Sequence, residues 1–195
     1  MRVYLAGPDV FLPDPHAWAA RRRAICAAHG LEGVSPLDAL PDEPADWAIL
    51  PEWHRIALRN EAHIRRCDAV IANLTPFRGP SADVGTVYEI GFARALGRRV
   101  FGYANGIEKF TRRTLDFVAA HGGAVAGPNA IWHDADGLLI EQFGLFDNLM
   151  IETAIVDSGG SLVLEACDPT DRWRDLSAFE RCVRQAAQTL RACAD

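Results

Sequence analysis

The sequence predicts an α/β domain in which helices cover both faces of a mainly parallel sheet. Short apolar runs recur at 2–6, 33–35, 68–74 and 98–104, and segments with helical spacing of apolar residues lie between them. The chain has 195 residues and is 49% hydrophobic, enough for one compact core but not for two full domains. Strand-helix alternation of this kind implies a flavodoxin-like or Rossmann-like arrangement. The expected architecture is a flavodoxin-like, doubly wound, five-stranded sheet. Residues 1–195 are expected to form a single domain, with about 156–195 as a C-terminal helical extension of it.

The first run, RVYLA, is closed by Gly7 and Pro8, as suits a buried strand feeding a loop. Asp14 and Pro15 then stand where an N-cap and first helical residue belong, and Trp18, Ile25 and Leu31 follow on a basic surface helix. A brief strand at 33–35 leads into PLDALPDEPADWAILP, a long irregular stretch rich in proline and acids. Loops of that length are usually functional or disordered. At 52–66, Trp53, Ile56, Ala57 and Ile64 recur at roughly helical spacing, and DAVIANL is the next strand. A helix from about Val84 to Leu96 ends at Gly97, and RRVFGYA is a fourth strand. Beyond Ala104 the pattern weakens: a polar helix near 111–120, the irregular EQFGLFDNLM, a helix running into Asp157, and an amphipathic helix at 176–193.

The net charge of -6 disfavours a nucleic-acid groove and suits a small substrate. Five cysteines, odd in number and without a C-x-x-C pair, argue against a zinc site or a secreted disulfide framework, so a cytoplasmic protein is expected. No apolar stretch reaches the ~20 residues of a membrane span. The histidines lack ligand spacing, His54 and His63 read as helix-surface residues, and the glycines do not form G-x-G-x-x-G. No metal or cofactor is expected.

Ligands of open α/β sheets bind beyond the carboxyl ends of the strands, so the loops after Ala6, Ser35, Leu74 and Tyr103 should face the substrate. Asp83 stands where a helix N-cap belongs, and Glu89 follows less than two turns later. Two carboxylates thus reach one site, as glycosidic chemistry requires: one attacks the anomeric carbon and an acid protonates the leaving group. Taken alone, Asp83 is equally a plain cap and Glu89 a solvated surface residue. Asp68 begins a strand and should lie at the opposite edge.

Three ordered blocks, VYLAGPDVFLPD, CDAVIANLTPFRGPSADVGTVYEIGFARALG and EQFGLFDNLM, resemble the nucleoside 2'-deoxyribosyltransferases of trypanosomatids and many bacteria. The resemblance spans about residues 2–155. It implies a flavodoxin-like fold without metal or coenzyme, acting on a 2'-deoxynucleoside and a free nucleobase by double displacement through a covalent glutamyl-deoxyribosyl ester. Hydrolysis is slow when no acceptor base is present. By position within DVGTVYE, Glu89 resembles the nucleophile and Asp83 the acid that handles the nucleobase proton. Tyr4 resembles a tyrosine that orients the nucleophile, although by residue type alone it is equally a core aromatic.

Asn60 matches a position that contacts the deoxyribose and is Asp in several relatives. Asp38 falls in a region that touches the base. Asn148 matches an asparagine lent to the site by a neighbouring subunit, which implies a homo-oligomer; Phe143, Leu145, Phe146, Leu149 and Met150 would supply the apolar patch that drives association. Gly7, Phe77, Arg78, Gly79, Gly85 and Met150, within the matched blocks, complete the expected substrate-binding set. Two other readings stand beside this one: an N-glycosidase of 2'-deoxynucleoside 5'-monophosphates, and a non-catalytic nucleoside-binding module.

Overall fold

The computed structural model describes residues 1–193. Its central sheet has five parallel strands in the order β2-β1-β3-β4-β7: β1 (Arg2–Ala6), β2 (Glu32–Val34), β3 (Ala69–Asn73), β4 (Arg99–Asn105) and β7 (Leu162–Glu165). This is the flavodoxin-like order, in which the winding reverses between β1 and β3 and leaves a crevice at their carboxyl ends. β3 is buried at every residue, so its run reads as continuously apolar, without alternation.

Helices α1 (Pro15–Ala28) and α6 (Ser177–Arg191) cover one face; α2 (Glu52–Arg65), α3 (Val84–Ala95) and α5 (Leu149–Asp157) cover the other. The expected helix ends hold. Asp14 Oδ1 accepts from Ala17 N with Pro15 in the first turn, Asp83 caps α3, and Gly97 takes φ +70° after α3 stops. On α6, Phe179, Cys182, Val183, Ala186 and Leu190 fall on one buried stripe at helical spacing.

The C-terminal segment departs from expectation. Instead of being purely helical, it supplies the edge strand β7, which pairs with β4 from Gly102↔Leu162 to Asn105↔Glu165, before α6. Four residues after a Gly-Gly turn are too short to show a strand period. Gly160 is needed there because a Cβ would sit 1.7 Å from the Val100 carbonyl oxygen. Helix α4 (Phe110–Ala119) and a small antiparallel hairpin, β5 (Ala124–Ala126) with β6 (Trp132–Asp134), lie outside the main sheet; the hairpin has no counterpart in the sequence reading. Among the described residues no helix is long and apolar enough to cross a membrane.

Candidate active site

A cavity of about 640 Å³ opens at the carboxyl ends of β1, β2 and β3. The loops after β1 and β2 contribute Gly7, Val10, Phe11 and residues 36–40; α2 contributes Ile56, Arg59 and Asn60; the start of α3 contributes Asp83, Gly85, Thr86 and Glu89. The loop after β4 does not reach the cavity. Asn105, the last residue of β4, donates to the carbonyls of Arg172 and Asp175, which ties that strand end to the C-terminal segment.

Tyr4 points its hydroxyl from the centre of the sheet toward α3, and Oη donates to Glu89 Oε1 at 2.6 Å. Asn60 Nδ2 donates to the same oxygen at 3.2 Å, while Asn60 Oδ1 is buried without a partner among the described residues. Asp83 lies on the first turn of the same helix. Its Oδ2 accepts from the backbone N and the Oγ1 of Thr86 at 3.0 and 3.1 Å. A Cβ on Gly85 would approach that oxygen to 3.1 Å, so glycine leaves the carboxylate room.

Glu89 is not the exposed, fully ionised residue that a helical glutamate suggests. It is only 8% exposed, and burial pushes its carboxyl up to about 7, with the Asp83 charge acting in the same direction; the Tyr4 and Asn60 hydrogen bonds pull it down. Near neutrality Glu89 therefore carries part of a proton. The Tyr4 hydroxyl is pushed well above its usual range by its own burial and by Glu89, so it remains a donor. Removing this donor has a defined consequence. Tyr4→Phe should move the acidic limb of kcat/KM upward from about 7 and lower activity at neutral pH by roughly tenfold; a profile superimposable on that of the parent chain would contradict this.

The turn after β1 is fixed from below. Asp9 pairs with the buried Arg22 at 2.9 Å and accepts from Asn73 Nδ2 at 3.1 and 3.3 Å. Gly7 permits this packing, since a Cβ would meet Asp9 Oδ2 at 2.5 Å and Asn73 Cβ at 2.8 Å. The long acidic loop closes the other wall. Arg59 binds Glu43 through two nitrogens, one at 2.8 Å, and Asp38 binds Arg23 at 2.6 Å and Ser35 N at 2.8 Å. Asp38 thus borders the cavity but uses its carboxylate to hold the loop. His63, read as a surface residue, is buried, and its Nε2 meets the Asp38 carbonyl at 3.1 Å. Asp68 lies at the amino ends of the strands, bonded to Arg2 N, as the sheet geometry requires.

The structure brings Tyr4, Gly7, Asp38, Asn60, Asp83, Gly85 and Glu89 together and leaves the remaining candidates elsewhere. Phe77 and Arg78 line a separate hollow next to Phe11, and Gly79 lies in a turn closed by Phe77 N donating to Ser81 O. Asn148 caps α5, accepting from Met150 N at 3.0 Å and donating to Glu141 at 2.8 Å. Met150 is exposed beside α3. The expected apolar patch is smaller than foreseen: Phe143 and Met150 are exposed, Leu145 and Leu149 are half-buried, and Phe146 lies in the core of its own subunit. The sequence reading missed Glu43, Glu52, Ile56 and Arg59 as lining residues; the length of the acidic loop was the one signal for its wall.

Asp147 couples these regions. Fully buried, it accepts from Ser81 Oγ, Ala82 N at 3.0 Å and Asn148 N at 2.8 Å, and so joins the residue before Asp83 to the residue capping α5. Among the described residues no group of three or more His, Cys, Asp or Glu side chains is placed to hold a metal ion.

Comparison with known proteins agrees with this geometry. The chain matches the family described as Nucleoside 2-deoxyribosyltransferase over residues 3–150. An uncharacterized protein of Schizosaccharomyces pombe is 31% identical over 172 residues, covering 84% of this chain and 81% of that protein. Among solved structures, a 2-desoxiribosyltransferase from Leishmania mexicana superimposes with a TM-score of 0.58 at 30% identity, covering 93% of this chain and 96% of the other. A conserved protein from Enterococcus faecalis V583 shares the fold, with a TM-score of 0.54 at 20% identity over 95% and 98% of the two chains. With its sheet order, its crevice and the family match over residues 3–150 in accord, the chain belongs to the nucleoside 2-deoxyribosyltransferase family, enzymes of glycosyl transfer that act on nucleosides and nucleobases.

Proposed function

We propose that this chain is a nucleoside 2'-deoxyribosyltransferase of nucleoside salvage, moving 2-deoxyribose between nucleobases through an ester on Glu89. The observation that carries this reading is the buried Glu89 carboxylate, oriented by Tyr4 and Asn60 beside Asp83 in one cavity. Both donors bind Oε1, which leaves Oε2 to attack C1'. As the bond from C1' to the base nitrogen breaks, its electron pair leaves with the base and a proton passes from Asp83 to that base. The developing positive charge on the sugar is stabilised by the Glu89 carboxylate until the ester forms.

In the return step a nitrogen of the second base attacks C1'. The ester bond breaks, Glu89 leaves as carboxylate, and the proton lost by the incoming base returns to Asp83. Water in place of the base gives hydrolysis. The attacking form has Glu89 ionised, so substrate entry must favour loss of the proton that burial holds on this carboxyl near neutrality. Asn60 Oδ1, buried and unpartnered among the described residues, is suited to accept a hydrogen bond from a sugar hydroxyl.

The cavity also bears on the monophosphate alternative. Among the described residues Asp38, Glu43, Glu52, Asp83 and Glu89 border it against a single cation, Arg59, which is already held by Glu43. Such a surround disfavours a phosphate dianion and favours an uncharged nucleoside. Base exchange between one deoxynucleoside and a panel of free bases, followed by chromatography, tests the reading. Exchange is expected, with kcat/KM for the 5'-monophosphate at least about tenfold lower. Hydrolysis without exchange, or preference for the monophosphate, would replace it with the N-glycosidase; no turnover of either would favour a binding module.

A further inference from the structure

Beside the main cavity, on the far side of Phe11, lies a second hollow of about 350 Å³ lined by Phe11, Phe77, Arg78, Arg172 and Trp173. Its walls are aromatic. Phe11 and Phe77 stack at 5.5 Å with planes 12° apart, and Trp173 meets Phe77 edge-on at 6.0 Å. Each arginine lies over a ring: Arg78 is 4.6 Å from the Phe77 centroid and 5.4 Å from that of Phe11, and Arg172 is 5.4 Å from that of Trp173. A guanidinium that stacks by its face keeps its in-plane N–H groups directed outward. Among the described residues neither side chain has a hydrogen bond or a carboxylate within ion-pair distance, although the chain as a whole is acidic and most of its other arginines are paired.

The hollow is held in shape. Buried Asn105 uses both amide protons on the carbonyls of Arg172 and Asp175, which fixes the segment carrying Trp173 at the end of β4. Arg78 has φ +55°, a left-handed conformation that is unfavourable for a non-glycine residue, and its guanidinium lies back over the two rings. The residues from 172 on also lie outside the 3–150 span of the family match, so this wall is not part of the matched core.

We infer that this hollow is a second binding site, distinct from the nucleoside cavity, for a phosphomonoester, carried on a nucleotide or present as free phosphate. Two free guanidinium forks suit the oxygens of a dianion, and the ring edges suit a planar base attached to it. The acid-lined main cavity repels the same group, so a monophosphate is held outside that cavity without being cleaved. Phe11 forms part of both walls, and an occupant there touches the residue that borders the reacting nucleoside.

Calorimetric titration of the intact chain with a deoxynucleoside 5'-monophosphate, with inorganic phosphate as a second arm, tests the inference independently of the transferase reading. Saturable binding is expected. It should weaken at least about tenfold in Arg172→Ala and further in the Arg78→Ala, Arg172→Ala double variant, and it should persist in Glu89→Gln protein saturated with unphosphorylated deoxynucleoside. Arg172→Ala should leave base exchange unchanged. Tighter binding of the nucleotide than of phosphate would assign the aromatic walls to the base; equal binding would make phosphate itself the ligand. No saturable binding, affinity indifferent to both arginines, or displacement by the deoxynucleoside would overturn the inference.

Discussion

Glu89→Ala is expected to abolish base exchange, with a loss of about four orders of magnitude or more, because a nucleophile has no substitute in a double displacement. The fold should survive. Glu89 is an ionisable group buried at the end of a helix-bounded cavity, and its carboxyl is raised from 4.5 to about 7 in the folded chain. The folded state therefore binds the proton more tightly than the unfolded chain. Stability that this group contributes when protonated is lost as pH rises between about 4.5 and 7. Glu89→Gln keeps an acceptor for Tyr4 Oη but cannot ionise, so above pH 7 it should be more stable than the parent chain by ~3 kcal/mol. The gain should vanish toward pH 4. Thermal unfolding at the two pH values measures it, and an inactive but stabilised variant is the expected pattern for a residue retained for chemistry at the expense of stability. Undiminished exchange in either variant would remove Glu89 from the mechanism.

The second large effect concerns Asn148. It does not reach the cavity of its own chain; it caps α5 on the face where exposed Met150 borders Val87, Gly91 and Arg94 of α3. If a two-fold partner covers that face, each subunit lends Asn148 to the other's site. Glu89→Ala and Asn148→Ala proteins should then each be inactive alone, and mixing them under conditions that exchange subunits should restore activity. Statistical exchange in a dimer leaves about a quarter of the sites with both residues intact. No recovery in verified mixed oligomers, or full activity in a sedimenting monomer, would assign Asn148 to its own subunit or to no site. Asp147 makes the coupling between the two sites physical, since it bonds both Ala82 N and Asn148 N.

The parts of the fold legible in the sequence were those governed by local chemistry. The caps Asp14 and Asp83, the stop at Gly97 and the apolar runs of β1, β3 and β4 each announce themselves within a few residues. β7 did not, because a four-residue edge strand is specified by its pairing with β4 and by the clearance at Gly160, both long-range facts. The same division runs through the site. Asp83 and Glu89 share one helix, and sheet geometry sends Asp68 to the far edge. Tyr4 was placed by its resemblance to a known motif, since its contact with Glu89 crosses 85 residues. The ionisation of Glu89 was misjudged because burial depends on what packs around the helix, and nothing in DVGTVYE encodes it. Likewise Phe77 and Arg78 sit in a matched block, yet the 3₁₀ turn at 8–11 and the returning segment at 172–175 place them in a different hollow.

The central claim is the covalent bond to Glu89. Incubating the chain with a deoxynucleoside and no acceptor base, quenching in acid and mapping peptides by mass spectrometry tests it directly. The account predicts one added deoxyribosyl group, attached at Glu89 in the peptide containing DVGTVYE, absent from Glu89→Gln protein and lost on addition of a free base as a new nucleoside forms. Turnover with no adduct under conditions where the acceptor step is demonstrably slow, or an adduct on any other residue, would contradict it.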